Sequence, residues 1–191
     1  MSDRELGYAL LCHARVAIAE RLGMPATSAL GHDALARHGA TFVTLMRHGE
    51  LRGCIGTLEA FRELAIDVRE NAVAAAFRDP RFLPLQSTEL ESTSVEVSLL
   101  GPSEPVPMVD EKDLLARLRP GIDGVILEHG GRRATFLPQV WESLPEPREF
   151  VAALKRKAGL PVDFWSSRLN VRRYEVLKWK ESEFSTSEEG R

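Results

Sequence analysis

The chain has 191 residues, enough for one domain or for two small lobes sharing a core, and its 43% apolar content is sufficient to bury an interior. Its 25 basic and 28 acidic side chains leave a formal charge of -3, so no whole-molecule positive field favours nucleic acid or an anionic membrane. The opening residues mix acids and an arginine with apolar positions, no apolar run is long enough for a membrane helix, and only Cys12 and Cys54 occur; together these predict a cytoplasmic protein with reduced thiols.

From Asp3 to about Leu22, Leu6, Leu10, Ala14, Ile18 and Leu22 recur every four positions, the stripe of an amphipathic helix, with Gly23 and Pro25 to end it. Cys12 lies off that stripe and reads as a small, partly buried side chain with no task. Phe42 to Thr57 reads as a hairpin turning near His48, Gly49 and Glu50, because apolar and β-branched flanks enclose a polar centre. A helix follows from about Glu63 to Phe77, with Leu64, Val68, Ala72 and Ala75 on one face, and stops before Asp79 and Pro80. Ser94 to Leu100 alternates Val95, Val97 and Leu99 with Glu96 and Ser98, as a half-buried strand requires. Pro102, Pro105 and Pro107 then interrupt any sheet ladder.

Asp110 can cap a short helix through Leu118, and Gly124 to Leu137 forms a second hairpin on Gly130 and Gly131. Pro147 opens a further helix whose apolar face is Phe150, Val151, Leu154 and Ala158, closed by Gly159 and Pro161. Val171 to Trp179 reads as one last strand with Tyr174 and Val176 on a common face, and residues 182–191 as a disordered tail after a single domain spanning 1–181. Two explicit hairpins, without regular β, α, β alternation, make the fold α+β with mainly antiparallel sheet and flanking helices.

Leu51-Arg52-Gly53-Cys54-Ile55-Gly56 is the segment richest in chemistry. Strand alternation puts Arg52 and Cys54 on one side, and Gly53 and Gly56 allow close approach to the backbone. A guanidinium beside a thiol favours the thiolate, the nucleophilic and metal-binding form, so Cys54 is a candidate nucleophile and Arg52 its stabiliser or an anion binder. Equally, Cys54 can be a small core residue and Arg52 the partner of an acid on a neighbouring element. His48, the nearest histidine that could act as base, is expected to be exposed in the turn.

LRGCIG, Asp79-Pro80-Arg81-Phe82 with Pro84-Leu85, Val95-Glu96-Val97-Ser98, Gly121-Ile122-Asp123-Gly124, Phe136-Leu137-Pro138-Gln139-Val140-Trp141 and Lys157-Ala158-Gly159-Leu160-Pro161 occur in that order. This succession, from about Leu6 to Trp179, resembles the AMMECR domain family, whose bacterial members are called AmmeMemoRadiSam system protein A. The resemblance implies a two-lobed α+β fold, the larger lobe built from the terminal regions and the smaller from the middle, with a cleft between them. It also implies association with a Memo-like protein and a radical S-adenosylmethionine enzyme. Some members carry a cysteine shortly before the KAGL stretch, where this chain has Leu154, Lys155 and Arg156, which argues against a two-cysteine mechanism.

Arg78, Asp79, Arg81 and Phe82 read either as an anion- or partner-binding edge beside LRGCIG or as an Asp-Pro turn held by local ion pairs. Glu96 and Ser98 face either a cleft, where a carboxylate can serve as base or thiol partner, or solvent. Gln139, fixed between prolyl and valyl neighbours, is a further candidate ligand-binding group, and Trp141 is core or cleft wall. The five histidines show no metal-binding spacing, so no metal site and no cofactor is assigned. Lys155, Arg156 and Lys157 at a helix end, and Arg172 with Arg173, read as solvated surface. Two functions follow from the residues: an accessory module that binds a partner or small ligand around LRGCIG, or an enzyme with Cys54 as nucleophile on a small molecule or modified protein. Nucleic-acid binding is disfavoured by the acidic balance.

Overall fold

The computed structural model describes residues 2–184 and bears out the α+β architecture. The chain folds into two compact units, one formed by the residues up to Leu100 and from Leu177 onward, the other by Gly101–Val176. The unit built from the terminal regions is thus the larger and the one from the middle the smaller.

The first unit opens with helix α1 (Asp3–Arg21), capped by Ser2 and Glu5, each side chain accepting the other's backbone N–H. A two-residue strand β1 (His38–Gly39) leads into β2 (Thr41–Arg47) and β3 (Glu50–Gly56), the expected hairpin. His48 and Gly49 turn it with φ of 53° and 81°, the left-handed pair that matches the twist of the flanking strands. After β4 (Arg62–Glu63), which pairs with β1, helix α2 (Leu64–Phe77) and strand β5 (Thr93–Leu100) appear at the expected places.

The second unit contains β6 (Glu104–Pro105), α3 (Glu111–Arg117) capped by Asp110, the hairpin β7 (Gly124–His129) and β8 (Arg132–Phe136), α4 (Pro147–Lys157) and β9 (Asn170–Tyr174). Its sheet runs β6-β9-β7-β8 and is antiparallel throughout. The core gathers Leu114, Leu127, Leu154 and Val171, with Trp141 stacked on Phe150 at a centroid distance of 3.7 Å. Pro105 does enter the sheet, contrary to expectation, because β6 is an edge strand on which a missing N–H is tolerated.

The chain returns to the first unit through β10 (Val176–Lys180), which completes the sheet β10-β5-β2-β3. The single strand expected over 171–179 is therefore two strands in two sheets, parted at Glu175. Tyr174 is buried under Gly124 in one unit and Trp179 under Gly7 in the other, so two separate apolar anchors divide the segment. Of the tail expected over 182–191, the first residues are ordered: Glu181–Glu183 form a helical turn and Phe184 stacks on Tyr8; residues 185–191 lie outside the described residues.

Lys155 also departs from expectation. It is wholly buried, its Nζ donating to Glu111 at 2.7 Å and to the Val162 carbonyl at 3.2 Å, so the charge joins α4 to α3 instead of meeting water. Lys157 donates to the Thr135 carbonyl, Arg172 to Ser103, and Arg173 to Glu104.

In the first unit, α1 packs on β5 and α2 on β2 and β3. Val43, Leu45, Val95 and Val97 point to the helices and are fully buried, with Leu10, Ile18 and Val68 opposite them. The other sheet face carries Thr44, Ser94, Glu96 and Ser98. The approach of α2 to the edge strand β3 is close enough that a Cβ on Gly53 would stand 2.2 Å from the Ala75 carbonyl oxygen. Gly53→Ala is expected to cost about 3 kcal/mol in urea denaturation, since neither backbone can yield cheaply. Gly31→Ala, where nothing lies within 4 Å, is expected to leave stability unchanged.

Candidate functional site

The hairpin register decides where the LRGCIG side chains go. From the turn, Arg47 pairs with Glu50 and Met46 with Leu51; then Leu45 pairs with Gly53, so β3 holds one residue more than β2 across that step. Arg52 and Gly53 together oppose Leu45, a β-bulge. Beyond it Cys54 pairs with Thr44, on the face opposite the helices. Without the extra residue Cys54 would stand opposite Val43, in the core beneath α2.

The bulge overturns the alternation expected to put Arg52 and Cys54 on one side. Arg52 turns to Glu89, donating from Nε at 3.2 Å and from Nη2 at 3.1 Å, and from Nη2 to the Leu83 carbonyl at 3.0 Å. Arg47 meets the same carboxylate at 2.6 Å. Hydrogen bonding from Arg52 holds the Glu89 carboxyl below its usual range. Arg52 is thus the partner of an acid on a neighbouring element.

The cation beside Cys54 is instead Arg81, and both are held by Asp79. Asp79 is buried just past the end of α2, and its Oδ2 accepts the Cys54 backbone N–H at 2.9 Å. Its carboxylate also takes the Arg81 N–H at 3.1 Å and the guanidinium at 2.9 and 2.7 Å. Arg81 Nη2 reaches the Cys54 carbonyl at 3.4 Å. A side-chain pair thus occupies the polar groups that the edge strand turns outward at Cys54. The Arg81 hydrogen bonds drive the Asp79 carboxyl far below the usual range, and Asp79 raises Arg81 in return.

The Cys54 thiol is half-buried, and its Sγ accepts from the Thr44 hydroxyl at 3.3 Å. Thr44 pairs in turn with Glu96 across β5, and the Glu96 carboxylate meets Lys178 at 2.6 Å and Lys180 at 3.6 Å. Thiol, hydroxyl, carboxylate and ammonium therefore form one row across the four strands. Glu96 is only 13% exposed and Ser98 is buried, so neither faces open solvent.

Phe82 is flanked by Arg81 and Arg52, whose guanidinium carbons lie 5.4 and 5.9 Å from its ring centre. Leu83 beside it is 84% exposed. Arg78 pairs with Glu70 at 3.4 Å on the surface. A Cβ on Gly56 would strike the Phe42 ring and the Thr41 carbonyl, so this glycine serves packing within the hairpin. Gln139 is exposed on a turn of the second unit, and Trp141 is core. His48 is exposed in the turn, as expected. Among the described residues no group of three His, Cys, Asp or Glu could hold a metal.

A second anchor escaped the sequence reading. Asp67, in the first turn of α2 and wholly buried, accepts from the Thr41 amide and hydroxyl, from Thr57, from Arg62 at 2.8 Å and from Asn71. It fixes the far end of LRGCIG, next to Gly56. Its signal was available: Asp67 and Asn71 are polar at an i, i+4 spacing on the apolar face of a helix.

These features define a two-unit α+β protein whose LRGCIG edge strand is bulged, packed on a helix and locked by two acids. The AMMECR1 family model matches residues 11–179, and the chain belongs to that family. A protein of Methanothermobacter thermautotrophicus is 38% identical over 183 residues, covering 91% of this chain and 93% of its own. One from Thermotoga maritima is 40% identical over 146 residues, covering 75% and 79%. The solved structure of uncharacterized protein PH0010 from Pyrococcus horikoshii superposes with a TM-score of 0.82 at 32% identity, covering 92% of this chain and 91% of that one. Among the described residues no helix is long and apolar enough to cross a membrane.

Asp79→Ala leaves the Cys54 N–H without its acceptor and is expected to cost about 2 kcal/mol at neutral pH. Because the Asp79 carboxyl is depressed in the folded state, its contribution is complete above about pH 4 and is lost as pH falls towards the folded value. The stability gap between wild type and variant, measured by urea denaturation, should therefore narrow below about pH 3.

Proposed function

We propose that the chain is a cytoplasmic accessory module that works with a Memo-like protein and a radical S-adenosylmethionine enzyme, binding through the surface around LRGCIG. The observation that carries this reading is the Arg81-Phe82-Leu83 loop. It is anchored by the buried Asp79 carboxylate, yet it presents an exposed leucine and a phenylalanine flanked by guanidinium groups. A loop ordered before binding loses little entropy on docking, and an apolar side chain ringed by arginine is a composition that interfaces favour. The neighbouring half-buried Cys54 thiol supplies a polar contact on the adjoining sheet face.

A second reading, an enzyme with Cys54 as nucleophile, is favoured by the Thr44 hydroxyl on Sγ and by Arg81 nearby. The accessory reading is preferred because, among the described residues, neither a carboxylate nor an imidazole is hydrogen-bonded to Sγ to act as base.

Co-purification of wild-type protein and Leu83→Asp with the genome-encoded Memo-like and radical S-adenosylmethionine proteins tests the proposal. Wild type is expected to retain a partner, and Leu83→Asp to lose at least about tenfold in affinity while melting normally. Undiminished capture by Leu83→Asp would contradict it.

A further inference from the structure

We infer that Arg119 and Arg173, in the second unit, form a binding site for a small dicarboxylate, and that the Glu104 and Glu175 carboxylates hold the places the ligand's two carboxylates would take. The site uses no residue of LRGCIG and does not depend on what that surface binds.

The local fold presents both arginines. Arg119-Pro120-Gly121-Ile122 is a turn closed by the Ile122 N–H on the Arg119 carbonyl at 3.1 Å, with proline in second place and Gly121 in third at a φ of 78°. The turn brings Asp123 back to its own start. There the wholly buried carboxylate accepts the Arg119 backbone N–H at 2.8 Å and Nε at 2.9 Å. Arg173 stands on β9 opposite Glu104; its Nη1 donates to the Arg117 carbonyl at 3.2 Å and lies 3.9 Å from the same Asp123 carboxylate. One buried acid thus orients two guanidinium groups before any ligand arrives, which limits the entropy lost on binding.

Two further observations point to an anion. A cavity of about 280 Å³ lies against both arginines, with Gly101, Pro102, Glu104 and Glu175 also in its wall. Ligand pockets start at roughly 300 Å³, so this one suits a small molecule. In addition, no hydrogen bond among the described residues engages Arg119 Nη1 or Arg173 Nη2, so each fork keeps donors for a ligand.

The two glutamates show which anion fits. Glu175 accepts from Arg119 Nη2 at 3.0 Å and Glu104 from Arg173 Nε at 2.7 Å, one carboxylate for each guanidinium. Their side chains are 65% and 60% exposed, and ion pairs so open to water are weak, so a ligand displaces them at small cost. Asp123, being buried, stays and keeps the arginines aimed. Two carboxylates on one short carbon chain take both guanidinium groups in a single binding event, the second contact being intramolecular once the first is made.

The test is isothermal titration calorimetry of the full chain with succinate and glutarate, with acetate and inorganic phosphate for comparison. Wild type is expected to bind one of the dicarboxylates at least about tenfold more tightly than acetate. The double variant Glu104→Gln, Glu175→Gln removes the competing carboxylates and is expected to bind it about fivefold more tightly still. Arg173→Gln is expected to bind it at least about tenfold more weakly. If Arg173→Gln does not fold, Arg173→Lys, which keeps the charge and loses the fork, carries the same expectation. Glu142→Gln, Glu149→Gln makes the same change in net charge at exposed positions outside the cavity wall and is expected to match wild type.

Tightening on removal of two glutamates is a change that a loss of packing would not produce. Absence of dicarboxylate binding in both wild type and Glu104→Gln, Glu175→Gln would overturn the inference. So would phosphate binding as tight as that of the dicarboxylates, or an equal tightening in Glu142→Gln, Glu149→Gln.

Discussion

Strand β3 holds one residue more than β2 can pair, and the bulge that absorbs it determines what LRGCIG presents. Pairing counted straight back from the two-residue turn would put Cys54 opposite Val43 and Gly53 opposite Thr44. The sulfur would then be core and the glycine would leave a gap on the other face. With Arg52 and Gly53 both set against Leu45, the glycine meets the Ala75 carbonyl and Cys54 moves to the side away from the helices. The same displacement sends Arg52 towards Glu89 and Arg47. Position by position, the motif is the sequence that this geometry needs.

Helix α2 is the template on which the strand is laid. Asp67 in its first turn and Asp79 just beyond its end are both buried acids whose acceptor capacity is filled by backbone and side chains around β3. Between them Ala72, Ala75 and Ala76 keep the helix slim, so that backbone can approach backbone. Buried carboxylates are tolerable only when fully partnered, and here the partners include the Cys54 amide within β3 and the Thr57 hydroxyl just beyond it. Stability and presentation of Cys54 are therefore properties of the same contacts.

Much of this fold was legible. The stripes Leu6-Leu10-Ala14-Ile18 and Leu64-Val68-Ala72-Ala75, the turn residues His48-Gly49 and Gly130-Gly131, and the alternation Val95-Val97 each depend on local periodicity or local backbone freedom, which a sequence carries directly. The bulge was not legible, because its cause is a helix carbonyl distant in sequence. For the same reason the side to which Arg52 turns was misplaced, although its pairing with an acid was one of the two readings, and Thr44 went unremarked. Lys155 looked like surface, since nothing local reveals that Glu111 and the Val162 carbonyl will meet it in the interior. The division at Glu175 was hidden because two short strands in different sheets read as one alternating run. Family resemblance supplied the lobes and the motif positions, but not the side-chain pairs that make the motif work.

The most direct test of the account is the hairpin register itself, read by nuclear Overhauser effects between α-protons in the labelled protein. In a non-hydrogen-bonded antiparallel pair the α-protons nearly touch. The bulged strand predicts a strong effect between Thr44 and Cys54. A strong effect between Thr44 and Gly53 in its place would put the sulfur under the helices and contradict the site as described.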